Sequence, residues 1–314
     1  CYSYINIIPI FLNQFGRMEL VMRRYQRLKK IEIVYFSGTG GTKRVAATFV
    51  SELEKRGISV HSHEIHARKP YEPQAYDMLL VLYPVYAMNA PRPVYEFIDK
   101  LPMVERELAA VVSVSGGGEV IPNTASRLHC IGQLKKKGYR VAYETMLIMP
   151  ANCITPTPKE LSLMLLKVLP SKVEKIVSDL LGGIVKRTEP VLVDRVISFF
   201  CEAQKEGSKL YGKIIKADAN CNGCGLCARA CPMGNIKIRN SVPVYDNRCC
   251  LCLRCIYDCP KKALQPKLVR RFVFKDGYSL KELEKELPNY QPIDVNTYPF
   301  NIAFAGLKKY FLEQ

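Results

Sequence analysis

Short apolar runs recur along the first half of the chain, separated by stretches with helical spacing. Ile31–Phe36, Ile58–Ile65, Met78–Tyr83, Leu108–Ser115 and Tyr139–Ile148 read as five strands. Met78-Leu79-Leu80-Val81-Leu82-Tyr83 is continuous rather than alternating, the pattern of a strand covered on both faces. Between the strands, Lys43–Arg56 sets Val45, Phe49, Val50 and Leu53 on one side and stops at Gly57, and Pro93–Lys100 and Asn123–Lys137 are further helical segments. Strands alternating with helices predict an α/β domain built on a doubly wound parallel five-stranded sheet. With strand order 2-1-3-4-5, ligands bind at the carboxyl ends of the first, third and fourth strands.

Beyond these strands, Glu160–Leu169 and Val173–Leu181 read as two helices, and Gly182-Gly183 breaks the pattern. Val191–Ile215, with Phe199, Phe200 and Leu210, reads as one amphipathic helix bridging to a cysteine-rich segment. In the tail, Arg270–Phe274 followed by Asp276-Gly277 suggests a hairpin, Ser279-x-x-Glu282 is a capping-box signature, and Phe300–Leu312 suggests a last helix. The tail is expected to pack back on one of the domains. The division is then an N-terminal extension (1–28), a first domain (29–185), a linker helix (186–215), a cysteine-rich α+β domain (216–266) and a tail (267–314). The extension begins at Cys1, and its apolar stretch Tyr2–Phe15 is broken by Pro9 and Asn13. It lacks the basic start and cleavage site of a signal peptide, and Met18 and Met22 are candidate starts.

Composition narrows the class. With 314 residues, 48% apolar and 24% charged, the chain has room for two soluble globular domains. No apolar run reaches 18 residues, so no membrane span is expected. The formal charge is +17. A basic protein of this kind steers acidic electron-transfer partners, or the charge serves solubility alone. The basic residues are scattered and no aromatic-basic motif appears, so nucleic acid is not an expected partner.

The chemistry sits in two places. The first strand runs into Ser37-Gly38-Thr39-Gly40-Gly41-Thr42 and then a helix. Strand, Gly/Thr-rich loop and helix make a phosphate site, with amide N–H groups and the positive helix end facing the loop. The dinucleotide pattern fails at Lys43, and the Gly-Lys-Ser/Thr of nucleotide-triphosphate loops is absent. Tyr83-Pro84-Val85-Tyr86-Ala87 follows the third strand, and Ser115-Gly116-Gly117-Gly118 follows the fourth. With no Trp in the chain, Tyr86 and then Tyr83 are the candidates to stack on a planar ring. The glycine triplet allows such a ring to lie against backbone, or simply forms a turn. Glu119 is the nearest candidate acid, or else a solvated side chain. His61, His63 and His66 have no ligand partners at metal spacing, and Cys130 and Cys153 read as small buried residues.

The second place holds eight of the 13 cysteines. Cys221-x2-Cys224-x2-Cys227-x3-Cys231-Pro232 recurs 28 residues on as Cys249-x2-Cys252-x2-Cys255-x3-Cys259-Pro260. Three evenly spaced cysteines plus Cys-Pro, twice, is the run that ligates two [4Fe–4S] clusters in bacterial ferredoxins, rather than the paired Cys-x2-Cys of zinc sites. Because the fourth cysteine of each run crosses over, one cluster takes Cys221, Cys224, Cys227 and Cys259, and the other Cys249, Cys252, Cys255 and Cys231. Cys250 lies out of register. Free thiols for cluster assembly point to a cytoplasmic setting.

The combination resembles the EFR-type flavodoxin–ferredoxin fusion proteins of anaerobic bacteria and archaea, over roughly residues 30–266. Ser37–Thr42 resembles the FMN-phosphate loop of flavodoxins. The resemblance implies a flavodoxin-like fold, FMN, 4Fe–4S clusters and electron transfer with redox partner proteins or a small-molecule donor or acceptor. Two other readings remain open: a flavin-dependent reductase of a small molecule fed by the clusters, and an interaction or sensor module with an empty flavodoxin fold.

Overall fold

The computed structural model describes Tyr25 and residues 28–202, 204–267, 270–301 and 304–313, with the side chains of 204–206 left aside. Most of the N-terminal extension therefore lies outside the described residues. The sheet consists of β1 (Lys30–Tyr35), β2 (Ser59–Glu64), β3 (Met78–Pro84), β4 (Leu108–Ser115) and β5 (Arg140–Ile148), in the order β2-β1-β3-β4-β5. All four pairings are parallel, which a doubly wound chain requires because a helix returns each strand to the same end.

The helices cover both faces. α1 (Gly41–Lys55) and α4 (Lys159–Leu181) close one core over Ile31, Ile33, Leu80 and Val112, while α2 (Arg92–Lys100) and α3 (Leu128–Lys136) close the other over Val34, Leu79, Val81 and Val111. β3 is central and buried on both sides, as its unbroken apolar run demands. The expected helix at Asn123–Lys137 starts only at Leu128, after a turn that carries Thr124 and Arg127.

Two helices were expected around Pro170, yet α4 is one helix of 23 residues with Pro170 inside it. Leu161, Leu165, Leu166, Leu169, Val173, Ile176 and Leu180 form one buried stripe along it. Burial of that stripe outweighs the roughly 3 kcal/mol that an interior proline costs. The linker is not helical from 186. Lys186 instead bridges Tyr143, donating to the Ala142 carbonyl (3.0 Å) and accepting from the Glu144 amide (2.8 Å), so it covers the free edge of β5. Helix starts at Leu192, as α5 (Leu192–Glu202) and α6 (Gln204–Ile214).

The cysteine-rich segment adds two small antiparallel sheets, β6 (Ile215–Ala217) with β9 (Leu264–Pro266) and β7 (Ile236–Arg239) with β8 (Val242–Tyr245), and short helices α7 (Leu226–Ala230) and α8 (Arg254–Tyr257). Its apolar residues Met233, Ile236, Leu253 and Ile256 belong to the same core as the α2 face of the large sheet. The tail does not make the expected hairpin. Arg270–Phe272 is a 3-10 turn, and Ser279 caps α9 (Leu280–Glu286) by accepting from the Glu282 amide at 3.3 Å. α9 packs on α4 through Leu280, and α10 (Ala305–Leu312) joins Ile148, Leu161 and Leu165 through Phe304 and Leu307. The tail thus lies on the first half of the molecule.

Candidate functional site

β1 delivers the chain to Ser37 at the carboxyl edge of the sheet, and α1 leaves from Gly41. The turn between them needs Gly40, whose φ of 102° is left-handed. Ser37 is buried and its hydroxyl accepts from the Lys43 amide at 3.2 Å. The remaining first-turn amides have no carbonyl four residues back, so they face the loop with the positive helix end. The Thr39 hydroxyl accepts from the Asn152 amide group at 2.6 Å, and Thr42 is buried. Asn152 lies in the loop after β5, and nothing in its local sequence marks it.

The loop after β3 is tied to β4 by the Val85 amide and the Val114 carbonyl (2.8 Å). Tyr86 and Asn89 exchange backbone hydrogen bonds of 2.9 and 3.0 Å around Ala87 and Met88, both left-handed at φ 46° and 57°. Two consecutive non-glycine residues there make a strained turn. Tyr83 is fully buried and donates to the Ser126 carbonyl at 3.3 Å, so its ring packs within the core under α3. Tyr86 instead leans over Gly38. Its hydroxyl is buried without a partner among the described residues, and burial pushes its pKa well above the phenol range. A Cβ at Gly38 would overlap that hydroxyl and stand 2.8 Å from the Cys252 carbonyl oxygen.

After β4, Ser115 accepts from the Gly117 amide (3.2 Å) and from Asn123 (3.3 Å), and Asn123 also donates to the Gly118 carbonyl (3.2 Å). Gly116 and Gly118 are held close by Ala151 and Ile148, each 2.7 Å from where a Cβ would lie. Protein atoms thus already account for the small residues at these two positions. Glu119 is not a solvated side chain. It accepts from the Thr188 hydroxyl (2.8 Å) and pairs with Arg127, which is fully buried and also donates to Glu144 (2.8 Å) and Ser113 (3.0 Å). A buried guanidinium with two carboxylates anchors this loop to the chain at Thr188.

The two cysteine runs share one backbone shape. Gly223 and Gly225 of the first run have φ of 66° and 74°, and the residues 28 further on, Leu251 and Leu253, take 54° and 62°. The second run adopts with leucine what the first adopts with glycine. Cys221, Cys224, Cys227 and Cys259 line one cavity, and Cys231, Cys249, Cys252 and Cys255 line another together with Cys250. Backbone amides point at the sulfurs: Asn235 to Cys231 (3.3 Å), Leu251 to Cys249 (3.4 Å) and Ala263 to Cys259 (3.4 Å). Among the described residues, no three His, Cys, Asp or Glu side chains gather as ligands of one metal ion. A cubane binds its thiolates at four separate irons, so its ligands stand wider apart.

Burial pushes the Cys249 thiol up to about 12 and raises Cys227, Cys231 and Cys255 as well. Cys252 moves the other way, downward, because the Cys250 thiol and the Arg254 side chain lie beside it. Cys250 holds the place of Asn222 in the first run, whose side chain accepts from the Cys224 amide at 3.3 Å. Cys250 is buried and lines the same cavity as Cys249 and Cys252.

Arg254 brings the two places together. It donates to the carbonyls of Gly38 (2.6 Å) and Ser37 (2.7 Å), to Glu64 (3.1 Å) and to the Ala230 carbonyl beside Cys231 (3.2 Å). Cys252 therefore abuts the loop at Gly38, while Cys224 of the other group is exposed. Further clasps are Ala67 N to Pro232 O (2.7 Å), Arg92 to Arg248 O (2.8 Å) and Tyr257 to Asn152 O (2.7 Å). Arg254 was not singled out from the sequence. The repeat carries its signal, because the equivalent residue of the first run is Leu226.

Comparison with known proteins agrees with this architecture. The flavodoxin domain family matches residues 32–146, and the 4Fe–4S binding domain family matches residues 216–237. No curated protein matches the chain. Solved structures similar to it include a flavodoxin from the domain Archaea (17% identity, 48% of this chain and 98% of that one, TM-score 0.34). Oxidised flavodoxin 2 from Bacillus cereus is similar at 18% identity (49% and 97%, TM-score 0.34). So is rubredoxin oxygen:oxidoreductase from the anaerobe Desulfovibrio gigas, at 14% identity (50% and 37%, TM-score 0.36).

Proposed function

We propose that this chain, a flavodoxin domain and a 4Fe–4S ferredoxin domain in one polypeptide, couples an FMN site to two [4Fe–4S] clusters and exchanges electrons with redox partners. The family matches support the electron-transfer role. The observation that carries the finer reading is the abutment of Cys252 on Gly38, clamped by Arg254. It leaves no intervening segment between a cluster ligand and the flavin loop. FMN supplies one- or two-electron exchange and each cluster one-electron exchange, which joins a two-electron partner to a one-electron carrier.

The residues fit these groups. Ser37–Thr42 offers first-turn amides, two threonine hydroxyls and a left-handed glycine to a phosphate. The orphaned Tyr86 hydroxyl, buried over Gly38, would find a partner in a ligand oxygen. Each group of four cysteines brings thiolates plus amide donors, which stabilise charge on sulfur and tune the potential. The division 29–185, 186–215 and 216–266 places the first site in one domain and the second in the other. A cluster held by Cys231, Cys249, Cys252 and Cys255 would lie against the Gly38 loop, and one held by Cys221, Cys224, Cys227 and Cys259 would lie by the exposed Cys224, where each would supply one-electron exchange.

Anaerobic reconstitution followed by iron, sulfide and flavin analysis tests this. About eight iron and eight sulfide per chain are expected, with stoichiometric FMN. Stoichiometric zinc without iron contradicts the cluster assignment. In Thr39→Glu/Thr42→Glu, charge repulsion at the loop should abolish flavin retention while iron stays. Unchanged flavin content removes the loop from the site.

A further inference from the structure

Helix α5 is turned inside out. Asp194 and Ser198, both 0% exposed, face the protein, and five apolar residues face outward: Leu192 (76% exposed), Val193 (50%), Val196 (48%), Phe199 (67%) and Phe200 (70%). At 100° per residue these two sets lie on opposite sides of the helix. The polar side is built to stay in place. Asp194 accepts from the Thr124 amide at 2.9 Å, and Ser198 exchanges two bonds with Asn89, its carbonyl accepting at 2.8 Å and its hydroxyl donating at 2.7 Å. The apolar crest is therefore fixed in its outward orientation. Ile121, in the turn that carries Thr124, is also 62% exposed.

Exposed single leucines are ordinary, but a convex ridge with two adjacent phenylalanines and a buried polar back is not. The charge of the chain selects among occupants. The sequence carries a formal +17, and Arg195 is exposed on the same helix. A second copy would bring two such charges together, which opposes self-association through this face. An anionic lipid surface attracts the basic chain and accepts a convex apolar ridge without a matching groove. We propose that the outward face of α5 seats the protein peripherally on an anionic membrane surface, with Phe199 and Phe200 entering the headgroup boundary. This goes beyond the redox reading and does not depend on it. Because α5 grips Asn89 and Thr124, in the loops after β3 and β4, the seated protein would present the carboxyl edge of the sheet beside the lipid.

The test is sedimentation of the reconstituted full chain with vesicles of phosphatidylcholine and phosphatidylglycerol, about 3:1, against phosphatidylcholine alone. Binding to the anionic vesicles only is expected, and the charge-neutral double variant Phe199→Ser/Phe200→Ser should lower the partition constant by about tenfold or more. Met103→Ser, an exposed apolar change elsewhere, should leave it as in the wild type. A thermal midpoint and far-UV circular dichroism equal to the wild type show that the double variant is folded. Three results overturn the proposal: no sedimentation with anionic vesicles, which leaves the face to an acidic protein partner; equal binding by the double variant, which reduces the effect to adsorption of a basic chain; or a dimer in solution that the double variant abolishes.

Discussion

Arg254 stands where the first cysteine run has Leu226, and its guanidinium joins β1, β2 and both short helices of the cluster region. Replacing it by methionine keeps the bulk and removes four hydrogen bonds. The expected effects are a loss of about 2 kcal/mol of stability and at least tenfold slower transfer between flavin and clusters at unchanged iron content. Urea titration and flash photoreduction measure the two. Its partner Glu64 adds a pH dependence. Burial works to raise the Glu64 pKa, but Lys69 and Arg254 together hold it below the ordinary carboxylate value. A depressed pKa stabilises the fold fully above the unfolded value of about 4.3, and the gain is lost as pH falls through the lower folded value. The difference in thermal midpoint between wild type and Glu64→Gln should therefore shrink on acidification below about pH 4.3. A constant difference contradicts the role given to this carboxylate. At Cys250, exchange for asparagine, the residue of the first run, should leave the iron content unchanged, whereas Cys252→Ser should lower it; iron analysis of both variants decides whether Cys250 is a ligand.

The elements show where local pattern is sufficient and where it is not. The five strands and α1 were legible because unbroken apolar runs and a 3.6-residue stripe have few alternative solutions. Pro170 was misleading because a local breaker acts on one turn, while the buried stripe of α4 extends over about five. Pro170→Ala should accordingly raise stability by about 1–2 kcal/mol in a urea titration, the helical gain being partly offset by a freer unfolded chain. Residues 186–191 were read as helix because nothing local announces that β5 needs an edge partner. α5 was legible as an amphipathic helix, but not its orientation. Which side faces inward is decided by Asn89 and Thr124, 109 and 70 residues away in the chain from their partners.

At the scale of the molecule, the cysteine repeat and the Ser37–Thr42 loop could each be read from the chain because their chemistry is local in sequence. Their contact could not. Gly38 meets Cys252 across more than 200 residues, and the glycine reads equally well as a phosphate-loop residue and as a residue kept small by Tyr86 and the Cys252 carbonyl. Both demands fall on one Cα, so Gly38→Ala should disturb the proposed flavin site and the junction together. Loss of flavin affinity with intact clusters and slowed transfer is the expected combined signature. The shared core makes the two parts one body rather than tethered carriers. That view is tested most directly by photoreducing bound flavin in the anaerobically reconstituted protein and following the iron–sulfur absorbance. A transfer rate independent of protein concentration, lowered in Arg254→Met, is the predicted result. Transfer that scales with protein concentration, or clusters that stay oxidised while the flavin is reduced, would contradict it.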